Sequence, residues 1–436
     1  MKRIGKVTLI FTLFVMIYGL FLTQSNVVLA KDWKIGINER IRNVFYNNIL
    51  DFDDSNDGDL SRFYRVRTSV WGQYDITPNI LVNLKLTNEH RPYLSNNKKA
   101  SQDDLHEVFV DNFYAKIKVG EKMPLTLTLG RQNIIYGEGF VILDGSPNDG
   151  SRSIYHDGVK ASLALNKTTT IDLFGFIDTE TDTIFPLIND QDQSMANQDE
   201  QAFGLYVTNT AVKDLKLEGY FINKTEKYEP DNLSLNTIGA RVSRGMKNKL
   251  AFASEFALQM GSRGDVDYSA FGGYAHVSYL ACEKRKGILK AGLNYLSGDD
   301  PETSDKVEGW NPLFSRWPKW SELYIYSQVY ETGKVAYWTN TLSPYIQFTV
   351  DLCSKANFSA TFYHLKALQK TPFVIGGWTP EGTTRGNEIQ LLFKFNFNKN
   401  FTGHFLYDQF MQGDFYPDTR TQGRFVRAEI MYNFTY

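Results

Sequence analysis

The sequence predicts an all-β chain: a closed antiparallel transmembrane β-barrel of about 18 strands, with short turns on the periplasmic side and long loops outside. Three observations carry that expectation. A secretory signal opens the chain, alternation of period two recurs from there to the last residue, and the connections between alternating segments are short and long by turns. The composition agrees. Of 436 residues, 42% are hydrophobic and 22% charged, with 31 Phe, 25 Tyr, 7 Trp and a formal net charge of −2. So many aromatic side chains exclude a solvated coil, and the near-neutral charge gives no footing for nucleic acid. A bundle of membrane helices would need several runs of about 20 apolar residues, and only the N-terminus offers one.

That N-terminal run sets the compartment. Lys2, Arg3 and Lys6 precede the apolar stretch from Val7 to Leu22, and Val28-Leu29-Ala30 supplies small residues for cleavage. Residues 1–30 therefore read as a signal peptide and 31–436 as a single barrel domain; the alternative is a retained anchor. The expected location is the outer membrane of a Gram-negative-type bacterium. Cys282 and Cys353 are too few for a disulfide scaffold. They fall near periplasmic turns two hairpins apart; at about 4.8 Å per strand, strand ends two strands apart lie beyond the roughly 7 Å Cα limit of a disulfide, so free thiols are expected unless a turn folds across.

Taken in order, the mature chain yields about eighteen alternating segments of roughly nine to thirteen residues, long enough for tilted strands to cross a bilayer. Ile80, Val82, Leu84 and Leu86 alternate with Asn83, Lys85 and Thr87, and Ile389, Leu391, Phe393 and Phe395 with Gln390, Lys394 and Asn396. Asp75 to Asn79, Gly120 to Met123, Gly245 to Lys249 and Asn398 to Asn400 are tight polar turns. Between them lie long connections near 50–60, 91–105, 133–155, 178–201, 297–340, 366–386 and 412–423. A soluble β-sandwich has no reason for that asymmetry. In the last segment Val426, Ala428, Ile430, Tyr432, Phe434 and Tyr436 share one face, similar to the aromatic-ended signal read by the barrel-insertion machinery. Pairing it with the first strand, from Trp33 to about Tyr46, removes both edges, as backbone in lipid demands.

If the apolar parity faces lipid, the other parity lines the lumen. Lys34, Asn38, Arg40 and Arg42 then point inward from the first strand, Arg65, Arg67, Ser69 and Gln73 from the second, and Arg427 from the last. These strands are neighbours in a closed sheet, so five arginines share one wall. Lys85, Arg241, Lys290 and Lys394 point inward by the same logic, as do Glu89, Glu255, Glu388 and Glu429. Guanidinium stays charged and offers a planar fork to carboxylates, so such a wall suits anions. The bland alternative is lumen arginine paired with acid merely to hydrate the interior. Glu39 falls on the lipid-facing parity, which requires an interfacial position or a bulge.

The long stretch from Ser297 to about Asn340 is acidic at first and carries Trp310, Trp317 and Trp320, which suit sugar faces or an interfacial belt equally. Tyr324-Ile325-Tyr326 reads as a short strand within it. The six histidines show no metal spacing, and neither a nucleophile elbow nor a phosphate loop is present. The chain is thus expected to be no enzyme and to need no cofactor. A rim-assembled hydrolase and a divalent cation bound by the acidic loop Asp51 to Asp59 are the minor alternatives.

Several short motifs resemble the alginate export family of outer-membrane barrels. They are Leu129-Gly130-Arg131-Gln132, Tyr136-Gly137-Glu138-Gly139 and Tyr155-His156-Asp157-Gly158-Val159-Lys160, with Lys160 where arginine is common. Ser297-Gly298-Asp299-Asp300-Pro301, Asn311-Pro312-Leu313-Phe314, the following Ser315 to Glu322 and Arg40-Ile41-Arg42 are similar too. The resemblance spans the mature chain. It implies an eighteen-stranded channel passing an anionic polysaccharide through an arginine-rich constriction. Carried over by position, the pathway residues are Arg40, Arg42, Arg65, Arg67, Arg131 and Lys160; Lys85 and Arg427 join them by parity. Arg131 would face lipid by strict parity, so its role needs a break at Gly130. The expected partners are an anionic saccharide, outer-membrane lipid and the insertion machinery, with the barrel a monomer. A diffusion porin for small solutes and a surface receptor or adhesin are the competing readings.

Overall fold

The computed structural model describes residues 32–50, 52–54, 61–95, 107–120, 124–143, 154–190, 194–315, 321, 323–324, 331–334, 337–370 and 379–436. The signal segment, most of the acidic run, Trp317 and Trp320 lie outside them. Alternation sorts the side chains into two faces, because a strand sends successive Cβ atoms to opposite sides. In β1 (Asp32–Asn47), Ile35, Ile37 and Ile41 are exposed on the outside while Arg40, Arg42 and Val44 are buried. β20 (Gly423–Thr435) repeats the pattern with Ile430 and Phe434 outward and Arg427 and Glu429 inward.

These two strands pair antiparallel from Gly36 opposite Thr435 to Asn47 opposite Arg424, and that ladder closes the sheet. Backbone hydrogen bonds of 2.8 and 3.2 Å between Ile35 and Tyr436 extend it to the last residue. Closure leaves no strand edge in hydrocarbon, where each unpaired backbone group costs several kcal/mol. Eighteen long antiparallel strands build the wall in chain order; β4 (Tyr93–Ser95) and β15 (Lys306–Val307) are short additions at the outer rim. The periplasmic turns are tight. Asn248 and Lys249, both at positive φ, make one of them between β11 (Leu233–Lys247) and β12 (Leu250–Arg263), a geometry that matches strand twist.

The structure amends the sequence reading in several places. Two outer connections are short: residues 227–232, between β10 (Lys216–Glu226) and β11, and Gly264-Asp265, between β12 and β13 (Val266–Cys282). Tyr324 sits in a helical turn, so the strand expected there is absent at that residue; Ile325 and Tyr326 lie outside the described residues. Glu39 needs no bulge, since β1 runs in unbroken register with both neighbours, and its carboxylate accepts a 2.6 Å hydrogen bond from the Thr68 hydroxyl. Cys282 and Cys353 are both free and exposed.

The bore is narrowed by the chain itself. Residues 133–143 fold inward, burying Ile134, Tyr136, Phe140, Val141 and Ile142. Residues 310–315 meet them through a parallel bridge between Ile142 and Phe314. Trp310 is buried and stacked 5.0 Å from Phe140, so its indole packs the interior and is not offered to a sugar. Nearer the outer mouth Tyr324, Phe410, Phe415, Tyr416 and Phe52 continue the same buried core through mutual ring contacts, pinned by Arg385 on Glu331. Burial and the Glu331 charge hold the Tyr416 phenol well above its usual pKa, so it stays a neutral donor.

Candidate functional site

β1 and β2 (Ser61–Thr77) place Arg40 directly opposite Arg67 and Arg42 directly opposite Arg65. Two successive cross-strand pairs of like charge are unfavourable in themselves. Carboxylates from neighbouring strands compensate them. Glu89 of β3 (Ile80–His90) lies 3.0 Å from Arg40, 3.5 Å from Arg65 and 3.7 Å from Arg67. Asp111 takes Arg67 at 3.3 Å and Lys85 at 2.7 Å, and accepts a 2.9 Å hydrogen bond from Thr87. Asp111 reaches this wall through an irregularity in β5 (Val108–Val119): Asn112 pairs with Lys85 and Val110 with Leu86, so one extra residue is accommodated.

On the other flank Glu429 bonds Arg42 and lies 3.1 Å from Nδ1 of His404 in β19 (Phe401–Gln412). Arg427 donates to His404 Nε2 at 2.8 Å. Guanidinium can only donate, so Nε2 carries the lone pair and the neutral imidazole donates through Nδ1 to Glu429. Arg40, Arg42, Arg65, Arg67, Arg427 and Lys85 thus stand on one wall as expected, all buried or nearly so. Within this network Arg40, Arg42, Arg65, Arg67 and Lys85 pair directly with Glu89, Asp111 or Glu429, and Arg427 reaches Glu429 through His404.

Arg131 and Lys160 lie elsewhere. Gly130 has a φ of +117°, and a Cβ there would sit 2.3 Å from the Phe113 carbonyl oxygen, so only glycine makes this break. The break turns Arg131 inward, where it is fully buried. Its guanidinium meets Asp157 at 2.8 Å through two nitrogens and Asp182 at 2.7 and 2.9 Å. The Tyr155 ring stacks 3.6 Å away. With both forks taken, Arg131 staples loop to wall and is not poised for a permeating anion. Lys160 is half-buried, 3.8 Å from Asp172, whose other contact is the Tyr136 hydroxyl at 2.9 Å.

Halfway around the eighteen-strand wall from β1 stands β11. There Arg241 is opposite Glu218 of β10 on one side and Glu255 of β12 on the other. It bonds Glu218, donates to the Tyr274 hydroxyl at 2.9 Å and lies 3.7 Å from Glu255. Tyr206 and Tyr220 stack 5.5 Å apart beside this group, and Tyr136 from the inward segment stacks 4.0 Å from Tyr206. The same segment presents Glu138 to Arg241 and His276, at 3.1 Å each. Parity had placed Arg241 and Glu255 inside. It gave no sign of Asp111, which depends on the irregularity, or of the Glu138 contact, which depends on the loop path. His404 stands at inward parity, but histidine spacing alone gives the sequence no reason to single it out.

The alginate export family profile matches residues 32–426. The chain belongs to the alginate export family. Its fold is that of outer-membrane porins. The OpdK porin of Pseudomonas aeruginosa, in a structure that holds vanillate, superposes with a TM-score of 0.59 at 10% identity, covering 94% of this chain and 100% of that one. OccAB4 of Acinetobacter baumannii gives 0.58 at 11% identity over 94% and 99% of the two chains, and OprD of Pseudomonas aeruginosa 0.56 at 9% over 94% and 95%. The search of curated proteins finds no match. This alginate export family member is an outer-membrane channel of the Gram-negative cell envelope.

Proposed function

We propose that this channel passively conducts an anionic saccharide, alginate-like in carrying ring carboxylates, along the wall built by Arg40, Arg42, Arg65, Arg67 and Arg427. The observation that carries the reading is the pair of cross-strand Arg–Arg contacts, Arg40 with Arg67 and Arg42 with Arg65. A wall chosen only for stability would alternate charge, as Glu218, Arg241 and Glu255 do. Neighbouring guanidinium groups instead offer successive carboxylates similar partners, so a uronate chain can exchange one for the next. In a narrowed, low-dielectric passage their field concentrates anions.

Recording purified barrel in planar bilayers tests this. Anion preference and saturable block by polyuronate are expected, both lost in the Arg65→Ala, Arg67→Ala double variant. An unselective wild-type current, or a double variant that behaves as wild type, removes the reading.

A second reading, a substrate-specific porin for small organic acids, draws on the interior packing of residues 133–143 and 310–315, which leaves less room for a polymer. It expects free permeation by monomeric glucuronate and no saturable block by the polymer.

A further inference from the structure

At the periplasmic end of the inner wall lies a cavity of about 390 Å³ lined by residues of β16 (Thr341–Cys353), β17 (Ala356–Lys366), β18 (Thr384–Asn396), β19 and β20. That volume falls within the roughly 300–1,000 Å³ usual for small-molecule sites. Its lining is polar: Asp351, Asn357, Lys394, Asn396, Thr402, His404 and Glu429 contribute, and Cys353 is part of it. The strand register makes this lining one continuous row. Asp351 is opposite Asn357, Asn357 opposite Lys394, Lys394 opposite His404, His404 opposite Glu429, and Glu429 opposite Arg42. The cavity is therefore joined, residue by residue, to the arginine wall.

Its charges are unevenly used. Asp351 accepts from Asn357 at 2.9 Å and lies 3.5 Å from Lys286. Glu429 is taken by Arg42 and His404, and the Lys355 ammonium donates to the Phe397 carbonyl at 3.1 Å. Both carboxylates are thus compensated. Lys394, by contrast, has no hydrogen bond or ion pair among the described residues, and its ammonium faces the cavity. Around it stand the amides of Asn357 and Asn396 and the Thr402 hydroxyl, groups that pair with sugar hydroxyls without regard to charge.

We propose that this cavity is a docking subsite for one carboxylated sugar residue at the periplasmic mouth. Lys394 receives the ring carboxylate, and Asn357, Asn396 and Thr402 receive hydroxyls. The proposal rests on the anionic-saccharide reading above and adds where such a chain is first held. Lysine suits this step: a single mobile point charge captures a carboxylate without the fixed orientation of a fork and releases it readily.

The two free cysteines supply the test. Cys353 lines the cavity and Cys282, also exposed, does not. The labelling rate of each by N-ethylmaleimide is measured on the full barrel in detergent, with trigalacturonate or neutral maltotriose present. Bound trigalacturonate should slow Cys353 alone by the factor 1 + [L]/Kd, about tenfold at roughly nine times Kd. Maltotriose should not protect, and Lys394→Gln should abolish protection while leaving the heat-modifiable mobility of the folded barrel unchanged. No protection at saturating trigalacturonate, equal protection by maltotriose, or full protection in Lys394→Gln each overturns the subsite. Polyuronate block without Cys353 protection would leave the channel reading standing and the subsite refuted; protection without block would do the reverse.

Discussion

Opposite sides of the same barrel solve the problem of interior charge differently. Across β10, β11 and β12 the inner row runs Glu218, Arg241, Glu255, so every charge has an opposite neighbour in its own register. Across β20, β1 and β2 the rows run Glu429, Arg42, Arg65 and Met431, Arg40, Arg67, so arginine abuts arginine in both, and the Arg40–Arg67 pair finds its carboxylate, Glu89, one strand further on. The first wall is satisfied locally and carries stacked tyrosines. The second leans on Glu89, a single carboxylate that three guanidinium groups share. Sharing is what makes a cationic surface exchangeable, and it is also what makes that surface fragile.

The largest expected effect follows from that fragility. Glu89 touches three arginines, so Glu89→Ala leaves a buried group of cations without their common partner. Removing one member of such a network costs about 3–5 kcal/mol. We expect a marked fall in the temperature at which the folded barrel loses its heat-modifiable gel mobility. Glu218→Ala on the other wall should cost less, because Arg241 keeps Glu255, Glu138 and the Tyr274 hydroxyl. Equal losses in the two variants would erase the distinction between the walls.

A charge reversal sharpens the same comparison through function. Arg67→Glu would place a carboxylate opposite Arg40 and remove the like-charge contact of that row, at the cost of setting the new acid beside Glu89 on its other side. The expected outcome is a barrel that still folds and whose reversal potential moves from anion preference toward zero or cation preference. A variant that keeps full anion preference would show that selectivity does not reside at this row. Arg131→Ala is the control: with Asp157 and Asp182 deprived of the guanidinium they share, it should lower stability and leave the selectivity of surviving channels unchanged.

These expectations rest on features of unequal legibility. The closed barrel, the strand number and the inward parity of Arg40, Arg42, Arg65, Arg67 and Arg427 follow from period-two alternation, because a strand leaves no freedom in where successive side chains point. The location of Asp111 did not follow, since one extra residue in β5 shifts parity without any glycine or proline to announce it. Arg131 was legible halfway: Gly130 flagged the break, but its partner Asp182 belongs to a long connection whose path no local pattern encodes. The same holds for Glu138. Inward loops are held by tertiary contacts such as Phe140 on Trp310, and a sequence shows the residues of such contacts without showing that they meet.

The smallest expected effect lies on the satisfied wall, and its smallness is informative. Tyr220 stacks on Tyr206 and donates a 3.1 Å hydrogen bond to Glu255. Tyr220→Phe keeps the ring and its stacking and removes only the hydroxyl. Glu255 still accepts from Tyr274 at 3.0 Å and remains near Arg241. The loss should therefore be about 1 kcal/mol, the net worth of one hydrogen bond whose acceptor keeps other partners. Conductance and ion preference should match wild type in planar bilayers. A change in ion preference as large as that of Arg67→Glu would mean that the tyrosine wall and the arginine wall act as one filter, and the contrast between a structural side and a selective side of the bore would have to be given up.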